Sequence, residues 1–92
     1  MKQELAETSA IRALAWLATD DELLGVFLGS SGASPDDLHR GVADPAFLAS
    51  VLDFILMDDA WVMDCAIALG MKPEQIWEVR QGLPGGDLPH WT

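Results

Sequence analysis

The chain of 92 residues has one cysteine, two histidines and five basic residues set against fifteen acids. Each scarcity excludes a class of function. Cys65 alone makes no internal disulfide, and Cys65, His39 and His90 lie too far apart in sequence to supply the three or four ligands of a zinc site. No base is spaced against a nucleophile, and no glycine-rich phosphate loop, zinc-protease helix, nucleophile elbow or calcium loop occurs. Catalytic, cofactor-binding and metal-binding residues are therefore expected to be none, and the chain is not expected to be an enzyme. Lys and Arg nowhere cluster, which removes the charge that nucleic acid or an anionic membrane surface requires.

Long apolar runs are also missing. Residues 47–71 have the length of a membrane span but include Asp53, Asp58, Asp59 and Asp64, each costing ~2.5–3.5 kcal/mol near a bilayer centre. No positively charged leader followed by an apolar run stands at Met1, so a reducing cytoplasm is the expected compartment.

What the sequence does have is punctuation. Asp20 and Asp21, Ser34 and Pro35, Asp44 and Pro45, Asp58 and Asp59, and Pro73 and Glu74 each place a capping oxygen, a proline or a carboxylate at the start of an apolar segment. These residues satisfy or complement the unpaired N–H groups and the positive dipole at a helix start. Nine of the fifteen acids fall at such starts, leaving six against five bases, so most of the net charge of −10 has a structural explanation.

The spacing predicts an all-α, compact bundle of five to six short helices in one domain over residues 1–82, followed by an irregular tail over 83–92. Helix one covers residues 3–18 with a stripe of Ile11, Leu14, Ala15, Leu17 and Ala18; helix two carries Leu23, Leu24, Phe27 and Leu28 and ends at Gly29. A short third helix follows Ser34 and stops at Gly41. Residues 45–57 form a helix that is apolar nearly all round, which belongs at the centre of a bundle. A fifth helix begins at Asp58 or Asp59, and Gly70 suits the left-handed position that ends it, with Met71 completing a Schellman motif. A sixth runs from Pro73 to Gly82.

An offset of 38 residues relates Asp20-Asp21 to Asp58-Asp59, Gly32 to Gly70, and Pro35 to Pro73. An internal repeat would set two helical hairpins on either side of the fourth helix; shared capping chemistry accounts for the same pairs without one.

Three features exceed what packing requires. Asp53 stands inside the apolar fourth helix, where a carboxylate either has a raised pKa or accepts from the N–H groups of a neighbouring helix start; the second is expected, making Asp53 a candidate buried polar residue. Leu88, His90 and Trp91 in the tail are candidate interaction residues, either offered to a partner or folded back into a groove. Cys65, on a predicted buried face, is read as core filler.

Ala13-Leu14-Ala15-Trp16-Leu17-Ala18 with Asp20, Asp44-Pro45-Ala46-Phe47-Leu48, Val51-Leu52-Asp53-Phe54-Ile55-Leu56 with Asp58-Asp59, and Leu83-Pro84-Gly85-Gly86 with Pro89-His90-Trp91 together give a pattern that resembles a bacterial family known as domain of unknown function 3572. The resemblance spans nearly the whole chain. It implies a single helical domain, and the family has no catalytic residues to carry over.

The expected function is a protein-interaction module that uses an apolar groove or the Trp91 tail, with an unknown protein partner, no cofactor, no nucleic acid and no membrane. A homodimer stays open. The alternative is an acidic decoy that occupies a basic nucleic-acid-binding surface of a partner.

Overall fold

The computed structural model describes residues 1–84. Six helices follow in order: α1 (Gln3–Ala18), α2 (Asp21–Ser31), α3 (Pro35–Gly41), α4 (Pro45–Ile55), α5 (Asp59–Leu69) and α6 (Pro73–Gln81). No helix among them is long and apolar enough to cross a membrane. The radius of gyration is 12.2 Å, what a compact chain of this length shows, about 12 Å.

The starts are set by the residues the sequence marks. Asp20 accepts from the Leu23 N–H at 3.0 Å, Asp44 from Ala46 at 3.0 Å, and Asp58 from Ala60 at 2.8 Å and Trp61 at 3.3 Å. Each bond satisfies an N–H that the helix itself leaves open. At α3 the capping box is complete. The Ser34 N–H donates to Asp37 Oδ2 at 2.8 Å, and the Asp37 N–H donates back to Ser34 Oγ at 3.4 Å. The Ser34 N–H bond is the first cause, ahead of the Ser34 hydroxyl and Arg40, that holds the Asp37 carboxyl below its usual range. At α6, Gln75 Oε1 accepts from the Lys72 N–H at 2.8 Å; Lys72 has no acceptor with which to return it.

The ends follow the same logic, with one correction. α2 does not stop at Gly29 but runs through it to Ser31, and the left-handed residue is Gly32, φ 76°, whose N–H reaches the Leu28 carbonyl. Phe27, buried on α2, holds the last turn to the core and outweighs the helix penalty of a glycine, about 1 kcal/mol. Gly70, φ 69°, ends α5 as expected, with the Gly70 N–H on the Ile67 carbonyl and the Met71 N–H on that of Ala66, the two bonds of a Schellman motif.

α1 and α4 lie against each other and share the middle of the bundle; α1 also packs on α2, α5 and α6, and α4 on α3, α5 and α6. The buried face of α1 differs from the expected stripe. Leu14 and Leu17 are in it, but Ile11, Ala15 and Ala18 are not, and Ala6, Ser9, Ala10 and Ala13 take their place. A helix surrounded by four others buries small side chains where neighbours approach closely. At its N-terminal end Gly82 comes so near that a Cβ there would stand 2.6 Å from the Cβ of Ala6. Leu83, counted with the tail in the sequence, is 2 % exposed and belongs to the core.

Aromatic rings join α2, α4 and α5. Phe27 meets Phe47 and Phe54 edge-on, with ring centroids 5.9 and 5.2 Å apart, and Trp61 stacks on Phe54 at 4.7 Å. Such pairs are worth roughly 0.5–1.5 kcal/mol each beyond the area they bury.

The 38-residue offset is present in the geometry. α2 and α5 have 11 residues each, each starts after an aspartate cap and ends at a positive-φ glycine, and each leads to a helix with proline in its first turn. The register extends into the preceding helices. Leu14 and Leu17 of α1 correspond to Leu52 and Ile55 of α4, and all four are buried. The fold is therefore two three-helix halves, and α4 opens the second rather than standing between two hairpins. Part of the packing follows the same correspondence, α1 on α2 matching α4 on α5 and α1 on α6 matching α4 on α3, whereas α5 packs on α6 and α1 without an equal counterpart for α2.

Candidate functional site

Of the residues singled out in the sequence, Leu88, His90 and Trp91 lie outside the described residues. Asp53 is described, and it is not buried. Its side chain is 59 % exposed and pairs with Arg80, Nε to Oδ1 at 2.6 Å, while Arg80 is only 16 % exposed and also donates to the Pro84 carbonyl at 3.0 Å. The single charged position of α4 thus anchors α6 and the chain beyond it, through a partner 27 residues away. The expected acceptor role toward a helix start falls to the capping aspartates instead.

Cys65, His39 and Arg12 lie apart, each in its own setting. Cys65 is fully buried, and burial pushes its thiol up to about 11, so it holds no nucleophilic thiolate at neutral pH. His39 is exposed in the last turn of α3. Arg12 reaches from α1 to the Leu69 carbonyl at 2.9 Å, where a cation complements the negative end of α5. Among the described residues, no three His, Cys, Asp and Glu side chains are grouped so as to hold a metal ion.

The unusual surface lies on the second half. Met57 is 77 % exposed, Met63 50 %, Ile67 75 % and Trp77 55 %. Met63 and Ile67 are one turn apart on the outer side of α5, opposite the buried Val62, Cys65, Ala66 and Leu69. Met63 and Trp77 line a groove of about 450 Å³ between α5 and α6, with Leu56, Val62 and Pro73 below and Asp59 and Glu74 at its edge. On the other side of α5, Trp16, Val26 and Trp61 line a second groove, edged by Asp20, Glu22 and Asp64. The other exposed apolar residues lie in the first half: Met1 before α1, Leu5 and Ile11 six residues apart and about 240° around α1, Val26 on α2 in the second groove, and Val42 in the turn before α4.

The two halves supply an internal control. At the positions equivalent to Met57, Met63, Ile67 and Trp77, the first half carries Thr19, Gly25, Gly29 and His39. All four of these are exposed, and nothing lies within 4 Å of where a Cβ at Gly25 or Gly29 would stand. The same helical framework is thus built in the first half without a side chain at two of these places. Several buried equivalents stay apolar in both halves, Leu14 and Leu52, Leu17 and Ile55, and Phe27 and Cys65, while buried Leu69 and Ala6 are matched by the exposed Ser31 and Asp44. Sequence reading that assigns α5 one apolar face passes over Met63 and Ile67; the 38-residue register exposes them once the Gly25 and Gly29 equivalents are set beside them.

Comparison with known proteins gives a family and no relative. A search of curated proteins and a search of solved structures each found no match. The family described as protein of unknown function (DUF3572) matches residues 3–86, nearly the whole length, and the chain belongs to that family.

Proposed function

We propose that this chain is a non-enzymatic protein-interaction module that binds its partner through the outer face of α5 and the adjoining groove against α6. The observation that supports this is the contrast between the halves: Met63, Ile67 and Trp77 stand exposed where Gly25, Gly29 and His39 serve the same fold. Exposed apolar side chains that the fold does not require are what an interface core is made of, and Trp and Met are enriched there. The reading of the protein as an acidic decoy rests on charge alone, and Asp20, Asp44 and Asp58 are already engaged by helix N–H groups.

The experiment compares three baits in extracts of the native cell: wild type, Ile67→Glu, and Gly29→Glu at the equivalent exposed position of α2. Proteins retained by wild type and Gly29→Glu but lost with Ile67→Glu support the reading, given unchanged helical circular dichroism. Identical retention by all three baits refutes it.

A further inference from the structure

The groove between α5 and α6 also indicates what kind of partner it fits. Its walls are apolar, with Met63 on one helix and Trp77 on the other, and both charged side chains at its edge, Asp59 and Glu74, are negative. They lie in the first turns of α5 and α6 and make no cap bond; the α5 cap is Asp58 and the α6 capping acceptor is Gln75. Their positions on the helices follow the apolar ones: Asp59 is one turn before Met63 and two before Ile67, and Glu74 is three residues before Trp77. Among the described residues no base lines the groove. The two cations of this half are Lys72, which precedes Pro73 outside the lining, and Arg80, which is committed to Asp53. An apolar track with one sign of charge along its margin matches an amphipathic helix carrying the opposite sign.

We infer that the α5–α6 groove docks a cationic amphipathic helix of a partner protein, its apolar face against Met63 and Trp77 and its Lys or Arg residues beside Asp59 and Glu74. This rests on the interaction reading above and specifies the partner for the same face. A second copy of this chain fits less well. It would bring Asp59 and Glu74 against acids of a molecule that also carries a net charge of −10, and like charges facing each other across an interface are repulsive.

The probe is a synthetic amidated peptide of about 18 residues, some five helical turns, with leucines on one face and lysines on the other. It is titrated by fluorescence anisotropy against the full-length protein. The expected result is saturable binding that weakens at least about tenfold in Met63→Glu. The same variant makes the surface more negative, so attraction by charge alone would tighten binding. Gly25→Glu, the equivalent change on α2, is expected to leave the affinity within about twofold. A peptide with glutamates in place of lysines is expected not to bind, and raising salt from about 50 to about 300 mM is expected to weaken the lysine peptide. Binding to Met63→Glu as tight as to wild type overturns the inference, as does equal binding of the glutamate peptide, absence of saturable binding, or a sedimenting dimer that Met63→Glu dissolves. If the baits lose their cellular partner with Ile67→Glu while the lysine peptide fails to bind, the interaction reading stands and the cationic partner does not.

Discussion

The contact between Gly82 and α1 gives the sharpest quantitative prediction, because it turns on one methyl group on each side. Gly82 has φ −80°, a conformation alanine adopts freely, so Gly82→Ala is not opposed by the backbone. Taken alone, that substitution would stabilise by about 0.4–1 kcal/mol through the unfolded chain. The structure reverses the sign. The new Cβ would stand 2.6 Å from the Ala6 Cβ and 3.1 Å from the Met1 carbonyl oxygen, whereas carbon pairs settle at about 3.5–4.0 Å. Opening that gap by roughly 1 Å displaces α6 and the buried Leu83 from α1, an overpacking cost of about 1–3 kcal/mol. The net expectation for Gly82→Ala is a loss of about 0.5–2 kcal/mol, which for a domain of this size lowers Tm by roughly 4–8 °C per kcal/mol. Ala6→Gly alone loses a buried methyl and helix propensity, together about 1–2 kcal/mol. Combining the two removes the collision with Ala6 and leaves only the 3.1 Å approach to the Met1 carbonyl oxygen. The double variant is therefore expected to be more stable than the sum of the single losses by about 1 kcal/mol or more. Urea unfolding followed by tryptophan fluorescence, with a shared m-value, measures all four corners of this cycle. Additivity within about 0.3–0.5 kcal/mol would refute the close approach of Ala6 and Gly82.

Other substitutions are expected to separate with equal clarity. Gly29→Ala, inside α2 with open space around it, should raise stability by about 0.5–1 kcal/mol, while Gly70→Ala at φ 69° should cost about 1–2 kcal/mol; thermal melts followed by circular dichroism compare the two. Asp53→Asn should cost no more than about 1 kcal/mol, since the Arg80 pair is solvated on the aspartate side, and melting temperatures of Asp53→Asn and Asp64→Asn should lie close together. Cys65 should react slowly with a disulfide reagent at neutral pH and quickly in urea. Its folded pKa, about 11, exceeds the ordinary value of 9.0, so the stability that the neutral thiol contributes should be complete below about pH 9 and lost as pH rises toward 11.

The parts of the fold that were legible in the sequence are the ones decided within one turn of chain. Asp20, Ser34, Asp44 and Asp58 cap where they were expected to, because a capping bond spans two or three residues and depends on little else. The Gly70-Met71 ending was legible for the same reason. Illegible features depend on what arrives from afar. Gly29 looks like a stop signal, yet Phe27 packs against Phe47 and Phe54 of α4 and carries α2 through it. Asp53 looks buried because its neighbours Leu52 and Phe54 are, but they face the core on either side of it and leave the carboxylate to Arg80. The α1 face is built from Ala6, Ala10 and Ala13 and leaves out Ile11 and Ala15, because α4, α5 and α6 all press on α1 and small size is what that face requires.

The role of the outer face of α5 is open to direct measurement. If the outer face of α5 exists for binding, its side chains add nothing to the fold, and the first half already shows glycine at the equivalents of Met63 and Ile67. Replacing both with glutamine keeps helix propensity near that of Met and above that of Ile, removes the apolar surface, and leaves every buried residue of α5 in place. Each exposed change of this kind should stay within about 0.5 kcal/mol of wild type. A core residue in the same helix behaves differently: Val62→Ala or Leu69→Ala, both less than a tenth exposed, should cost up to about 2–5 kcal/mol for the larger side chain. If the Met63→Gln, Ile67→Gln variant melts as low as Leu69→Ala, the two side chains are holding the bundle together, the contrast between the halves is a packing difference, and the assignment of this face to a partner loses its support.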